Sequence, residues 1–261
     1  MVKWTEEYNE KRQKSGVKRQ KEFEKTLKNK LLRVFKQQRS TILSKIESWK
    51  SIKLSVPSLG NTFTTLYTTL LLQPFLDFIK SEWQIAIEEV IGWSVFVVDT
   101  EERKRTIKDD IIKLAEQVDS VTDEKLKKVI SDWVTNWLTP DQVSTAINSV
   151  FDELSKARVD MIVRTESVRS ATLWQTLAWK DTWLVSGKEW YTAVDERVCE
   201  YCRPMHGKVI DIDDNYFKKW DTYVWSNGGK MKLNYSDTPW APLHPNCRCT
   251  LLPVVKSIDE L

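Results

Sequence analysis

Apolar residues return every three or four positions through most of the chain, the spacing of amphipathic helices. In the first fifty residues Phe23, Leu27, Leu31, Val34, Phe35, Ile42, Ile46 and Trp49 share one face, with no Pro before Pro57 and Gly16 the single Gly. This pattern predicts one long helix or a helix pair. Residues 4–20 show little periodicity and read as a basic arm that need not be folded. The string SVPSLG at 55–60 reads as a linker. Beyond it, Phe63, Leu66 and Leu70, then Phe75, Phe78, Ile79, Trp83, Ile87 and Ile91, predict two helices kinked or separated at Pro74.

Two further helices are predicted over 100–118 and 122–138, the second with Leu126, Ile130, Trp133 and Trp137 on one stripe. Thr139-Pro140-Asp141-Gln142 is a helix start. Thr offers the cap oxygen, Pro suits the first turn, and Gln at the third position closes a capping box. Val143, Ile147, Val150 and Leu154 then form a buried face, and a helix over 158–179 carries Arg164-Thr165-Glu166.

The period changes after Lys180. Trp183-Leu184-Val185, a turn at Ser186-Gly187-Lys188, and Trp190 to Ala193 predict a hairpin of two short strands. Residues 209–212 and 249–255 are two more strand candidates. The predicted class is therefore α+β, with a mostly helical N-terminal two-thirds and a small C-terminal α+β module. The segments divide as 1–55, a basic helical arm; 56–139, a helical domain; and 140–261, the C-terminal domain.

Composition narrows the class. The 261 residues include 13 Trp but only 7 Gly and 8 Pro, which excludes collagen-like and low-complexity chains and disfavours a turn-rich all-β fold. The formal charge of +3 hides a segregation: residues 1–50 hold 15 Lys+Arg against 6 Asp+Glu, and the remainder 25 against 31. The N-terminal +9 is concentrated in Lys11, Arg12, Lys14, Lys18, Arg19 and Lys21. Such a run fits DNA phosphates, an acidic partner protein, or the solvated side of a long helix. The sequence shows no signal-peptide pattern, and charges interrupt the apolar stretch 66–98 too often for a spanning helix, which points to a reducing cytosol and no membrane partner.

All four Cys and both His fall between Cys199 and Cys249, as Cys199-x-x-Cys202, His206 and His244-x-x-Cys247-x-Cys249. Zinc takes four nitrogen or sulfur ligands at tetrahedral angles, and a C-x-x-C knuckle supplies two of them. The second pair comes from His244, Cys247 and Cys249, so the metal candidates are Cys199, Cys202, His244, Cys247 and Cys249, with His206 as a sixth donor. A thiol redox pair and buried packing cysteines are the competing accounts. A catalytic site is harder to assemble. Glu196 or Glu200 beside an open zinc ion, or His244 with Asn246 in a metal-dependent nuclease, would provide one. No G-x-S-x-G, H-E-x-x-H or phosphate-binding Gly loop occurs. The expectation is a structural zinc ion and no enzymatic activity, with a nuclease or hydrolase acting on nucleic acid as the alternative.

Three strings together resemble one family: Asp195-Glu196-Arg197-Val198-Cys199-x-x-Cys202, Gly207-Lys208-Val209-Ile210, and Pro242-Leu243-His244-Pro245-Asn246-Cys247-Arg248-Cys249-Thr250. They are similar to the phage Mu protein F-like minor head proteins of phage head morphogenesis. Arg164-Thr165-Glu166 and Trp190 fit the same pattern, so the resemblance spans roughly 140–255. Two features depart from it. Ala241-Pro242 stands where Pro-Pro is frequent, and 213–238 is an enlarged loop. The resemblance implies a low-copy virion component that assembles in the host cytoplasm. Its partners would be the portal protein and other head proteins; double-stranded DNA as a further partner follows from the charge of the basic arm, which the resemblance does not cover.

Overall fold

Glu6 opens the first helix, which continues without a break to Ser48. In a computed structural model of the chain, the structure describes residues 5–48, 63–92, 100–136, 139–193, 198–225, 228–234 and 236–257. The linker at 55–60, Trp49, Trp137 and residues 194–197 lie outside these, as do the side chains of Ile130 and Trp133.

Five α-helices lead into a small strand module: α1 (Glu6–Ser48), α2 (Thr64–Ile91), α3 (Glu101–Asn136), α4 (Pro140–Glu153) and α5 (Val159–Thr182). A π-helical turn, Leu154–Arg158, joins α4 to α5. The expected α+β class is observed. Among the described residues, no helix is long and apolar enough to cross a membrane.

The helices depart from expectation at three places. Residues 6–20 are helical, part of a single 43-residue α1. Pro74 lies inside α2 and does not divide it. Interior proline costs about 3 kcal/mol, and burial of Tyr67, Leu71, Phe75, Phe78 and Ile79 along the same helix outweighs that. Residues 119–121 likewise do not interrupt α3, because the polar groups there are satisfied. Thr122 Oγ1 donates to the Val118 carbonyl, and buried Asp119 accepts from Gln38 Nε2 at 2.8 Å and from Tyr67 Oη at 3.0 Å.

The chain forms two compact units, neither of them one consecutive stretch. One comprises residues 25–76 and 99–160. Its core includes Leu27, Leu31, Val34, Phe35, Tyr67, Leu71, Ile107, Ile111, Leu114, Val143, Ile147 and Phe151. The expected α4 start is present in full, with Thr139 Oγ1 accepting from the Gln142 amide and the Gln142 side chain accepting from the Thr139 amide.

Burial pushes the Asp119 carboxyl up to about 6, against the stabilising bonds from Gln38 and Tyr67. The folded state thus binds the proton more tightly than the unfolded chain. The associated stability is present below about pH 4 and is lost as pH rises through about 6. A shift of this size is on the order of 2–3 kcal/mol. Asp119→Asn, which keeps an oxygen acceptor, is expected to flatten that part of the pH profile in urea unfolding. An unchanged slope between pH 4 and 6 would reject the assignment.

The other unit comprises residues 1–24, 77–98 and 161–261. It contains a three-stranded antiparallel sheet ordered β2-β1-β5, built from β1 (Val185–Tyr191), β2 (Val209–Asp211) and β5 (Thr250–Val255), and a hairpin of β3 (Thr222–Val224) with β4 (Lys230–Lys232). The predicted 183–193 hairpin is corrected to one strand, β1. Gly187 lies within it, paired with Asp211 on one side and Val254 on the other. A Cβ at Gly187 would stand 2.7 Å from the Ile210 carbonyl oxygen. Glycine there permits close strand approach and makes no turn. The β3–β4 hairpin occupies part of the stretch read as an enlarged loop. Trp174, Trp179, Trp190 and Tyr191 are all fully buried in this unit.

Candidate metal centre

The first knuckle is a tight turn at Cys199–Cys202. The Cys202 and Arg203 amides both donate to the Cys199 carbonyl, at 3.2 and 3.1 Å, and the Cys202 amide also reaches Cys199 Sγ at 3.3 Å. A short 3₁₀ turn, Arg203–Met205, then carries the chain into β2. The second knuckle precedes β5. The Cys247 amide donates to the His244 carbonyl at 3.2 Å, and Asn246 adopts φ +63°, a left-handed conformation that Asn tolerates better than most residues.

The thiols and the imidazole form two overlapping triads. Cys199, Cys202 and His244 have their donor atoms within 4.8 Å of one another, as do Cys202, Cys247 and Cys249, so Cys202 belongs to both. Cys199 Sγ lies 2.9 Å and Cys202 Sγ 3.3 Å from His244 Nε2, and Cys202 and Cys247 sulfurs are 3.8 Å apart. Two sulfurs each about 2.3 Å from a tetrahedral centre stand about 3.8 Å apart. The five residues line a cavity of about 30 Å³.

The orientation of His244 also suits a metal. Its Nδ1 lies 2.7 Å from the Pro245 carbonyl. A proton on Nδ1 satisfies that carbonyl and leaves the Nε2 lone pair facing the sulfurs, the usual arrangement of a ligand histidine. Without metal the donors share protons. Hydrogen bonding from Cys202 lowers the Cys199 thiol to about 4. Burial opposes charge on His244, yet the bond to Cys199 and the nearby thiolates raise it to about 9. Bonding from Cys202 also lowers Cys247, while Cys202 is raised as the donor of the set. The cluster can hold a metal ion.

Helix α5 holds the second knuckle in place. Thr165 Oγ1 accepts from the Asn246 amide at 3.1 Å, and Thr172 Oγ1, two turns on along the same face, donates to the Ala241 carbonyl at 2.5 Å. His206 stands apart from the cluster. Its Nδ1 is 2.9 Å from Thr192 Oγ1 and 3.3 Å from the Thr192 amide, and its ring lies 4.9 Å from that of Tyr191.

Residues 124–252 match the family described as Phage Mu protein F like protein. This segment is a Mu F-like domain. The match contains every residue of both triads, and it confirms the resemblance carried by the three motif strings. The Mu F-like family supports a phage-head-associated protein, with other head proteins as partners and the virion as location. Neither a curated protein nor a solved structure gives a significant match.

Within the Mu F-like domain, the central residue of Arg164-Thr165-Glu166 is the knuckle anchor, and its neighbours are ion-paired. Arg164 lies 3.5 Å from Glu24, and Glu166 lies 2.5 Å from Arg169. Glu196 falls outside the described residues, and Glu200 is exposed. N-terminal to the Mu F-like domain, the six basic candidates separate into two kinds. Lys11, Lys14, Lys18 and Lys21 are exposed and recur at i, i+3, i+7 and i+10, which sets them in one stripe along α1. Arg12 and Arg19 turn inward. Arg12 pairs with Glu89, and Arg19 Nε lies 2.7 Å from Glu82, whose side chain is 1% exposed.

Proposed function

We propose that the protein is a minor head protein of phage head morphogenesis, a structural component bound to the portal or the capsid interior. It assembles in the host cytoplasm and carries one structural zinc ion in its C-terminal module. The family match over residues 124–252 carries the head assignment. Mass spectrometry of purified heads is the test. The chain should be present at low copy, and heads complete without it would reject the proposal.

Zinc is the metal that best suits a set of thiolates and one imidazole, and cysteine-rich sites of this kind are closed and structural. Cys199, Cys202 and His244 supply three donors. Cys247 is the proposed fourth, because its sulfur stands 3.8 Å from Cys202 and it shares the His244 turn. Bound there, zinc would tie the two knuckles together. Cys249 is then a neighbouring thiol. Four protein ligands leave no open position for water, which favours the structural role over the nuclease alternative.

The lysine stripe on α1 is the proposed contact for DNA or an acidic head protein. Binding to a duplex DNA oligonucleotide should weaken steeply with salt, and Lys→Gln at all four positions should reduce the log–log slope by about 0.9 for each phosphate that is no longer neutralised. Thermal stability should hardly change, because exposed surface substitutions fall within about 0.5 kcal/mol each. Salt-insensitive binding retained by the quadruple variant would reject this interface.

A further inference from the structure

Tyr201, on the first knuckle, links the metal cluster to the β3–β4 hairpin. Its ring meets the His244 imidazole edge-on, with centroids 5.5 Å apart, and the Trp225 indole edge-on at 4.6 Å. Tyr223 approaches the same point: its Oη donates to the Tyr201 carbonyl at 3.0 Å, and its ring lies 6.0 Å from Trp225 and 4.8 Å from Phe217. Trp225 is buried, and Gly229 makes room for it, since a Cβ there would stand 2.1 Å from the indole.

Burial of the five donors is uneven. Cys202, Cys247 and Cys249 are buried, whereas Cys199 and His244 retain exposed surface. Water or a competing ligand therefore reaches the cluster from the side of Cys199 and His244, where Tyr201 stands. The aromatic residues bring no donor to the metal. Tyr201 does restrict rotation of the imidazole, since an edge-on ring contact of this kind contributes about 0.5–1.5 kcal/mol.

We propose that Tyr201, held in place by Tyr223 and Trp225, is a positioning residue that covers His244 and sets the rate at which the metal ion exchanges. This inference rests on the metal-site proposal. Losing a partner that orients a ligand typically costs 10–100-fold in metal affinity or activity; a cover differs in acting on entry and exit alike, so its loss shows in the exchange rate.

The test loads the full chain with zinc, adds excess chelator, and follows release with a zinc-binding dye. Equilibrium affinity is measured separately by competition. Trp225→Ala should speed release by about tenfold or more, and Tyr223→Phe, which removes one hydroxyl and keeps the ring, by a smaller factor. Affinity should change much less than the release rate, because uptake accelerates too. Unchanged release in both variants would overturn the cover, as would equal changes in release and affinity, the mark of general support for the fold. A wild-type chain that takes up no zinc would overturn the metal site and the cover together. Zinc retained with wild-type release in both variants would overturn the cover alone.

Discussion

Arg12→Ala is expected to destabilise the unit containing it by about 3–5 kcal/mol, the cost of leaving a buried charge without its partner. The Arg12 guanidinium is held from four directions. Nε pairs with Glu89, Nη1 donates to the Leu251 carbonyl at 2.8 Å, Nη2 reaches Gln175 Oε1 at 3.5 Å, and the group lies 5.7 Å from the centre of the Trp179 ring. The Arg12 and Glu89 side chains are only 7% and 3% exposed, so solvent screens the pair little. One residue near the N-terminus thereby joins α1 to α2, α5 and β5. Arg12→Lys should recover part of the loss, because it restores charge but not the planar fork that serves three acceptors. Arg12→Met with Glu89→Leu should recover more, since the orphaned carboxylate is removed as well. Urea unfolding provides the comparison, with Lys11→Ala as the exposed control. If Arg12→Ala matched that control within about 0.5 kcal/mol, Arg12 would be a surface charge.

Metal removal should have a still larger effect, confined to the unit that holds the knuckles. Structural zinc in small modules contributes on the order of 10 kcal/mol or more of apparent binding free energy at neutral pH, and that energy is folding energy. The four proposed donors would join two segments more than forty residues apart in sequence, Cys199 and Cys202 with His244 and Cys247. Chelation, or Cys199→Ser, should loosen the 199–249 region and lower its melting transition. The separate core around Leu31, Tyr67 and Ile111 should remain folded. Hydrogen exchange resolves the two, with protection lost around the knuckles and kept in α3 and α4. Uniform protection before and after chelation would mean that the hydrogen bonds accepted by Thr165 and donated by Thr172 suffice to hold the module.

Much of the fold is legible from local pattern. Apolar spacing reveals the helices, the Thr139–Gln142 box marks one start, and the spacing of Cys and His marks the metal candidates. The departures share one physical cause, which is that partners distant in sequence decide them. Pro74 and the polar residues at 119–121 resemble breaks until the burial around them is seen. Gly187 resembles a turn until the Ile210 carbonyl is found against it. Arg12 and Arg19 carry the same charge as the exposed lysines, and only Glu89 and Glu82, 77 and 63 residues further on, distinguish them. Thr165 and Thr172 left one sequence signal, two hydroxyls seven apart on one helix face, but their partners lie 81 and 69 residues away.

Metal content of the full chain tests the central claim most directly. Purified without added metal and analysed by elemental mass spectrometry, wild type and Cys249→Ser should each hold about one equivalent of zinc, and Cys199→Ser and Cys247→Ser well under one, as four-coordinate ligation by Cys199, Cys202, His244 and Cys247 requires. Wild-type protein that is folded and carries well under one equivalent would contradict the account.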